Sequence, residues 1–146
     1  MKRELHTTVE VFGKELSYIK DNTIREMTAF AIENINSNFF VEAASSTGKY
    51  HPEYALGLGG LYRHTQAAVK IAHDLLQIDL YKNEFSDYVK DYMIVALILH
   101  DCCKRGKYWD EQYTVHEHPI LVREWLNEIF ASDLCSTIER VREITK

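Results

Sequence analysis

Residues 95–106 read VALILHDCCKRG. Seven uninterrupted apolar residues, Met93 to Leu99, run directly into His100 and Asp101, and then into Lys104, Arg105 and Gly106. A run of that kind with no Gly or Pro predicts a helix over about 85–103, apolar on all sides and so in the middle of a helical domain, with a basic last turn and a glycine stop at Gly106. A carboxylate buried at the end of such a run costs several kcal/mol unless a cation or strong donors compensate it. A divalent metal would do so. Residues i and i+1 point about 100° apart on a helix, so His100 and Asp101 can share one ion only where a turn widens or ends.

Working outward, Asp21, Asn22 and Thr23 offer N-caps, with Glu26 three after Thr23 as in a capping box. Ile24, Met27, Ala31 and Ile35 follow at helical spacing, predicting a helix over about 23–36. The stretch 45–60, rich in Ser and Gly and containing His51-Pro52, reads as a loop that delivers the chain to a second helix over about 61–77. Leu61, Thr65, Ala68, Val69, Ala72, Leu75 and Leu76 form its broad face, and His64 lies at the edge of that face. After His118-Pro119, where proline suits a first turn, a further helix carries Ile120, Leu121, Trp125, Leu126, Ile129 and Phe130. A last one begins near Asp133 with Leu134, Ile138, Val141 and Ile144. The fold expected is an all-α single helical bundle, with a short strand or hairpin over about 7–13.

Composition bounds the function. The chain has 146 residues, 46% hydrophobic and 27% charged, with a formal net charge of −5, which is one globular domain's worth of sequence and not a disordered one. Net acidity gives no support to general nucleic-acid binding. The N-terminus lacks an apolar signal core, and seven apolar residues fall far short of a membrane span, so a cytoplasmic protein with no membrane role is expected. Cys102, Cys103 and Cys135 are an odd set, two of them adjacent, and read as reduced thiols. Without CxxC spacing, Cys102 and Cys103 are not expected to be metal ligands. Self-association is left open.

Histidine stands out, with seven residues at positions 6, 51, 64, 73, 100, 116 and 118. His73-Asp74 is a second His-Asp pair, but it sits inside a helix with no breaker nearby and reads as half-buried or surface. His6 and His51 read as surface. His64, His100 and His118 taken singly would each be hydrogen-bonded core histidines; with their flanking residues they read as ligands that converge from three helices on one metal.

Those flanks carry a resemblance. GGLYRHTQAAVKIAHDLL (59–76), VALILHDCCKRG (95–106) and EHPILVREWL (117–126), with His64 and His100 36 residues apart, resemble the HD-domain superfamily of metal-dependent phosphohydrolases. That family has a first His in a G-L-x-x-H-[ST] helix, an apolar helix that ends in His-Asp-x-x-Lys, and often a His that opens the next helix. The resemblance covers about 57–130. It implies His64, His100 and Asp101 as metal ligands, Asp101 as the bridge between two ions, His118 as the extra histidine of two-metal members, and Lys104 as the phosphate-facing lysine. His116 has no counterpart and reads as second to the ligands or solvent-facing. Cys102-Cys103 stand where members commonly have Ile-Gly, and Val122 where they have Gly. The family's last ligand, a downstream Asp, has no match: Asp133 follows too closely, and the chain reaches Lys146 before the expected position. Either this is a shortened form of a longer protein or the site is completed differently; Glu139 and Glu143 are candidates, against the reading of a solvated face.

The resemblance implies hydrolysis of a nucleotide or other small phosphate ester by a metal-activated water, with one or two ions drawn from Mn, Fe, Co, Ni, Zn or Mg. Asp101 and Lys104 would be catalytic. The alternative is an HD-like, non-catalytic regulatory module that binds a nucleotide or metal. Arg63 and Arg105 are basic candidates for the substrate, though each reads equally well as helix surface. Tyr62, Tyr108 and Tyr113 could stack on a base, but fit half-buried packing better.

Overall fold

A computed structural model describes residues 11–45 and 47–144, with side chains described as far as residue 134. The described residues form six α-helices and two 3-10 turns, with no strand among them. The all-α class is as the sequence predicts. The expected strand over 7–13 lies outside the described residues except at its end, where Val11 and Phe12 form a turn and Gly13 opens a helix. The chain divides into two compact units, Met1–Cys102 and Cys103–Lys146.

In the first unit, α1 (Gly13–Leu16) leads to α2 (Asn22–Glu33). Asp21 is the N-cap, its carboxylate accepting from Ile24 N at 2.9 Å, so the Thr23/Glu26 box is not the register used. The core face of α2 is Ile24, Thr28, Ala31 and Ile32, continued by Ile35. Met27, expected on that face, is 49% exposed; positions 28 and 32 take its place, because a face through residue 24 can pass equally through i+4 and i+8. The 3-10 turns Ser37–Phe40 and Glu53–Ala55 follow, then α3 (Gly60–Leu75), a single turn α4 (Asp79–Lys82) and α5 (Asp87–Leu99).

Phe12, Phe39, Phe40 and Tyr62 form an aromatic cluster, with the Phe12 and Tyr62 rings edge-on at 4.8 Å. Tyr62 accepts from Phe12 N through its hydroxyl, and burial raises the pKa of that phenol. It is therefore a packing residue, the reading the sequence favoured. Ile32, Leu61, Val69 and Ile98 are fully buried; full burial of such a side chain is worth about 1.5–3 kcal/mol. Asp91, also buried, accepts from the backbone N–H groups of Lys20 and Asp21, each at 2.9 Å, and so anchors the start of α2 to α5.

The α5 helix departs from expectation in two ways. It is not buried on all sides: Ile94, Ile98 and Leu99 are buried, while Ala96 and Tyr92 are exposed. It also ends at Leu99, four residues before Cys103, and the following residues to 105 form turns. The His100 ring supplies the cause. Its Nδ1–H donates to the Leu97 carbonyl at 2.6 Å, the group that a continuing helix would give to the N–H of Asp101.

In the second unit, α6 runs from His118 to Ile144 as one helix of 27 residues. Two helices with a break near Asp133 were expected. No Gly or Pro lies between Phe130 and Leu134, so Asp133 had the residue type of a cap but no chain reversal to cap. Trp125 and Trp109 are buried, whereas Tyr108 and Tyr113 are exposed. No helix among the described residues is long and apolar enough to cross a membrane.

Candidate metal centre

His64 is positioned by the way the chain enters α3. Gly59, the N-cap, has φ of 76°, a conformation that side-chain-bearing residues resist. The next residue, Gly60, is required for space: a Cβ there would lie 2.1 Å from the Ala55 carbonyl oxygen. The preceding loop lies over the first turn of α3, with Leu61 N donating to Glu42 O at 2.9 Å and Ala44 N to Ala55 O at 3.1 Å.

Arg63 secures that loop. Its Nε donates to Tyr54 O at 2.5 Å, Nη1 to Leu58 O at 2.9 Å and Nη2 to Leu56 O at 2.9 Å. The sequence offered Arg63 as a substrate contact or a surface residue. It is exposed, in keeping with the surface reading, and its guanidinium is committed to three backbone carbonyls, a role that depends on the tertiary path of the loop.

His100 and Asp101 come together because α5 has ended. His100 Nε2 lies 2.9 Å from Asp101 Oδ2, and His64 Nε2 lies 3.5 Å from the same oxygen. The His64 and His100 ring centroids are 5.7 Å apart. With the proton of His100 held on Nδ1 by the Leu97 carbonyl, Nε2 of the neutral ring is a lone pair that faces a carboxylate oxygen. Such an arrangement needs a cation. A proton on one ring serves one N···O contact, whereas a divalent ion serves both nitrogens and the oxygen at once. The three ligand atoms all lie within 4.8 Å of one another. Tetrahedral coordination with bonds of about 2.1 Å would set them roughly 3.4 Å apart, a spacing bracketed by the 2.9 and 3.5 Å separations from Asp101 Oδ2. His64, His100 and Asp101 can therefore chelate a metal ion.

Without an ion the proton takes that place. Burial alone would lower the pKa of His100, but the hydrogen bond and charge of Asp101, helped by the Leu97 carbonyl, outweigh burial and raise it above 6.5. A group with a raised folded-state value stabilises the fold fully below its unfolded value, and loses that contribution as pH rises through the folded one. In metal-free protein, NMR titration of His100 should give a midpoint above 6.5, and Asp101→Asn should bring it down. An unchanged midpoint in the variant would show that Asp101 does not hold the proton.

His73 stacks on Tyr18, with centroids 3.7 Å apart and planes 7° off parallel, while Asp74 receives Lys70 Nζ at 2.6 Å on each oxygen. The two members of this second His-Asp pair thus have separate partners, in keeping with the half-buried or surface reading. Cys102 and Cys103 are buried and form no disulfide among the described residues.

His51, read as surface from the sequence, is partly buried, with its ring edge-on to His64 at 5.0 Å. The signal that could have found it is its neighbourhood: His51-Pro52 leads into the 3-10 turn that packs on Gly60.

The other two expected site residues belong to the second unit. Lys104 is buried, and its carbonyl accepts from Val115 N at 2.9 Å. His118 opens α6, with Nδ1 2.6 Å from Val115 O. This repeats the ring-to-carbonyl contact of His100. His116 is exposed. Arg105, the second basic candidate, donates through Nη1 to Gln112 O, and its carbonyl accepts from Glu111 N at 3.2 Å, so it organises the turn that follows. Comparison with known protein families, characterised proteins and solved structures finds no match to this chain.

Proposed function

We propose that this chain is an HD-domain-like, metal-dependent phosphohydrolase acting on a nucleotide or other small phosphate ester. The observation that carries the reading is the approach of two imidazole nitrogens, His64 Nε2 and His100 Nε2, to the single oxygen Asp101 Oδ2. This mixed nitrogen and oxygen donor set suits Mn, Fe, Co, Ni or Zn. His64, His100 and Asp101 hold the ion, with the Leu97 carbonyl fixing the His100 tautomer so that Nε2 is the donor. When bound, a divalent ion supplies Lewis acidity and lowers the pKa of a coordinated water towards about 7. On the sequence pattern alone, Lys104 is assigned to place positive charge on the phosphoryl oxygens, and His118 to serve a second ion.

The test is metal dependence of both stability and turnover. Adding Mn or Zn at about a hundredfold over Kd should stabilise the protein by about 2.7 kcal/mol, read as a Tm several degrees higher, and the loaded protein should release phosphate from a panel of nucleotides and phosphate esters. A Tm unmoved by any of these metals would end the metal reading. Binding without turnover would make the chain a regulatory module of the same fold.

A further inference from the structure

The loop before α3 contains a buried nitrogen with no hydrogen-bond partner, Nδ1 of His51. An imidazole nitrogen shut away from water and left without a partner is unfavourable. The atom has essentially no solvent-accessible surface, so a water molecule cannot touch it. The ring lies 5.0 Å, centroid to centroid, from that of His64, whose Nε2 belongs to the cluster described above. The backbone that presents it is held in place: the Ala55 carbonyl occupies the space a Gly60 side chain would need, and Arg63 binds the carbonyls of Tyr54, Leu56 and Leu58. His51 is thus delivered beside the cluster by a fixed loop.

We infer that His51 is a fourth protein ligand, binding the ion through Nδ1 and completing a set of three nitrogens and one oxygen with His64, His100 and Asp101. This rests on the metal reading proposed above. His51 stands outside the group whose ligand atoms already lie within 4.8 Å of one another, so its ring closes on the ion by side-chain rotation when the metal arrives. Ions that accept five or six ligands retain open positions for water and substrate with four protein donors in place. No activity measurement is needed to detect the fourth.

In cadmium-loaded protein carrying isotope-labelled histidine, metal–nitrogen scalar couplings should place Nε2 of His64, Nε2 of His100 and Nδ1 of His51 on one and the same ion. His51→Ala should remove one coupling and weaken zinc affinity at least a hundredfold, while leaving the metal-free Tm unchanged or raised, since the variant removes an unpartnered buried group. An uncoupled His51 in the wild-type protein overturns the inference without recourse to any variant. In that event, retained couplings at His64 and His100 leave the three-ligand site standing. Absence of all couplings, with no cadmium bound, removes both.

Discussion

Asp101→Ala is expected to abolish metal binding, with a loss of affinity of at least a thousandfold, which is about 4 kcal/mol. The reason is geometric. Asp101 Oδ2 is the atom that both His64 Nε2 and His100 Nε2 approach, at 3.5 and 2.9 Å, so one substitution removes the single anionic donor and the point on which the two rings converge. Only neutral imidazoles remain, and the charge of the ion is no longer offset in a partly buried site. Any phosphatase activity should disappear together with metal uptake. The rise in Tm on adding Mn or Zn should vanish in the variant, measured beside His73→Ala, which alters a ring stacked on Tyr18 and should leave uptake nearly intact. An Asp101→Ala protein that still showed the full metal-induced rise would place the ion elsewhere.

Where the sequence was readable, it was because pattern and punctuation agreed. The α3 helix has strong apolar periodicity and α5 an unbroken apolar run, each bounded by turn-forming residues, and their observed ends lie within a few residues of the expected ones. The His64, His100 and Asp101 cluster was legible for a related reason: each member sits near an end of a readable helix, where side chains of different elements can meet. Less legible were outcomes set by side-chain-to-backbone bonds across space. Nothing in the spacing of VALILHD reveals that the His100 ring will take the Leu97 carbonyl and stop the helix. Nor does Arg63, on the polar side of an amphipathic helix, reveal that three loop carbonyls lie within its reach. His51 was misread because a histidine in a loop has no periodic frame to locate it, and its burial depends on a fold-back that the Gly59-Gly60 pair permits. The long α6 shows the converse: Asp133 has the residue type of a cap, but with no breaker beside it the helix runs on.

Gly60→Ala should be the most damaging single-methyl change in the first unit. Helix propensity alone argues the other way, since Ala in place of Gly in a helix gains up to about 1 kcal/mol. Here the added Cβ would lie 2.1 Å from Ala55 O, 2.6 Å from Ala55 C and 3.3 Å from Ala44 N. All three are backbone atoms, so no rotamer change relieves the overlap; the loop must lift from α3, breaking the bond from Ala44 N to Ala55 O. A loss of about 3 kcal/mol or more is expected. Gly13 provides the matched control, because it also opens a helix, yet a Cβ there meets nothing within 4 Å. Gly13→Ala should therefore be neutral or slightly stabilising in urea titration, while Gly60→Ala shifts the midpoint far down. The lifted loop is the one that carries His51, so Gly60→Ala should also weaken metal affinity in the fraction that remains folded. If the two alanine variants unfolded at the same denaturant concentration, the close packing of the loop on α3, and with it the placement of His51 beside His64, would have to be given up.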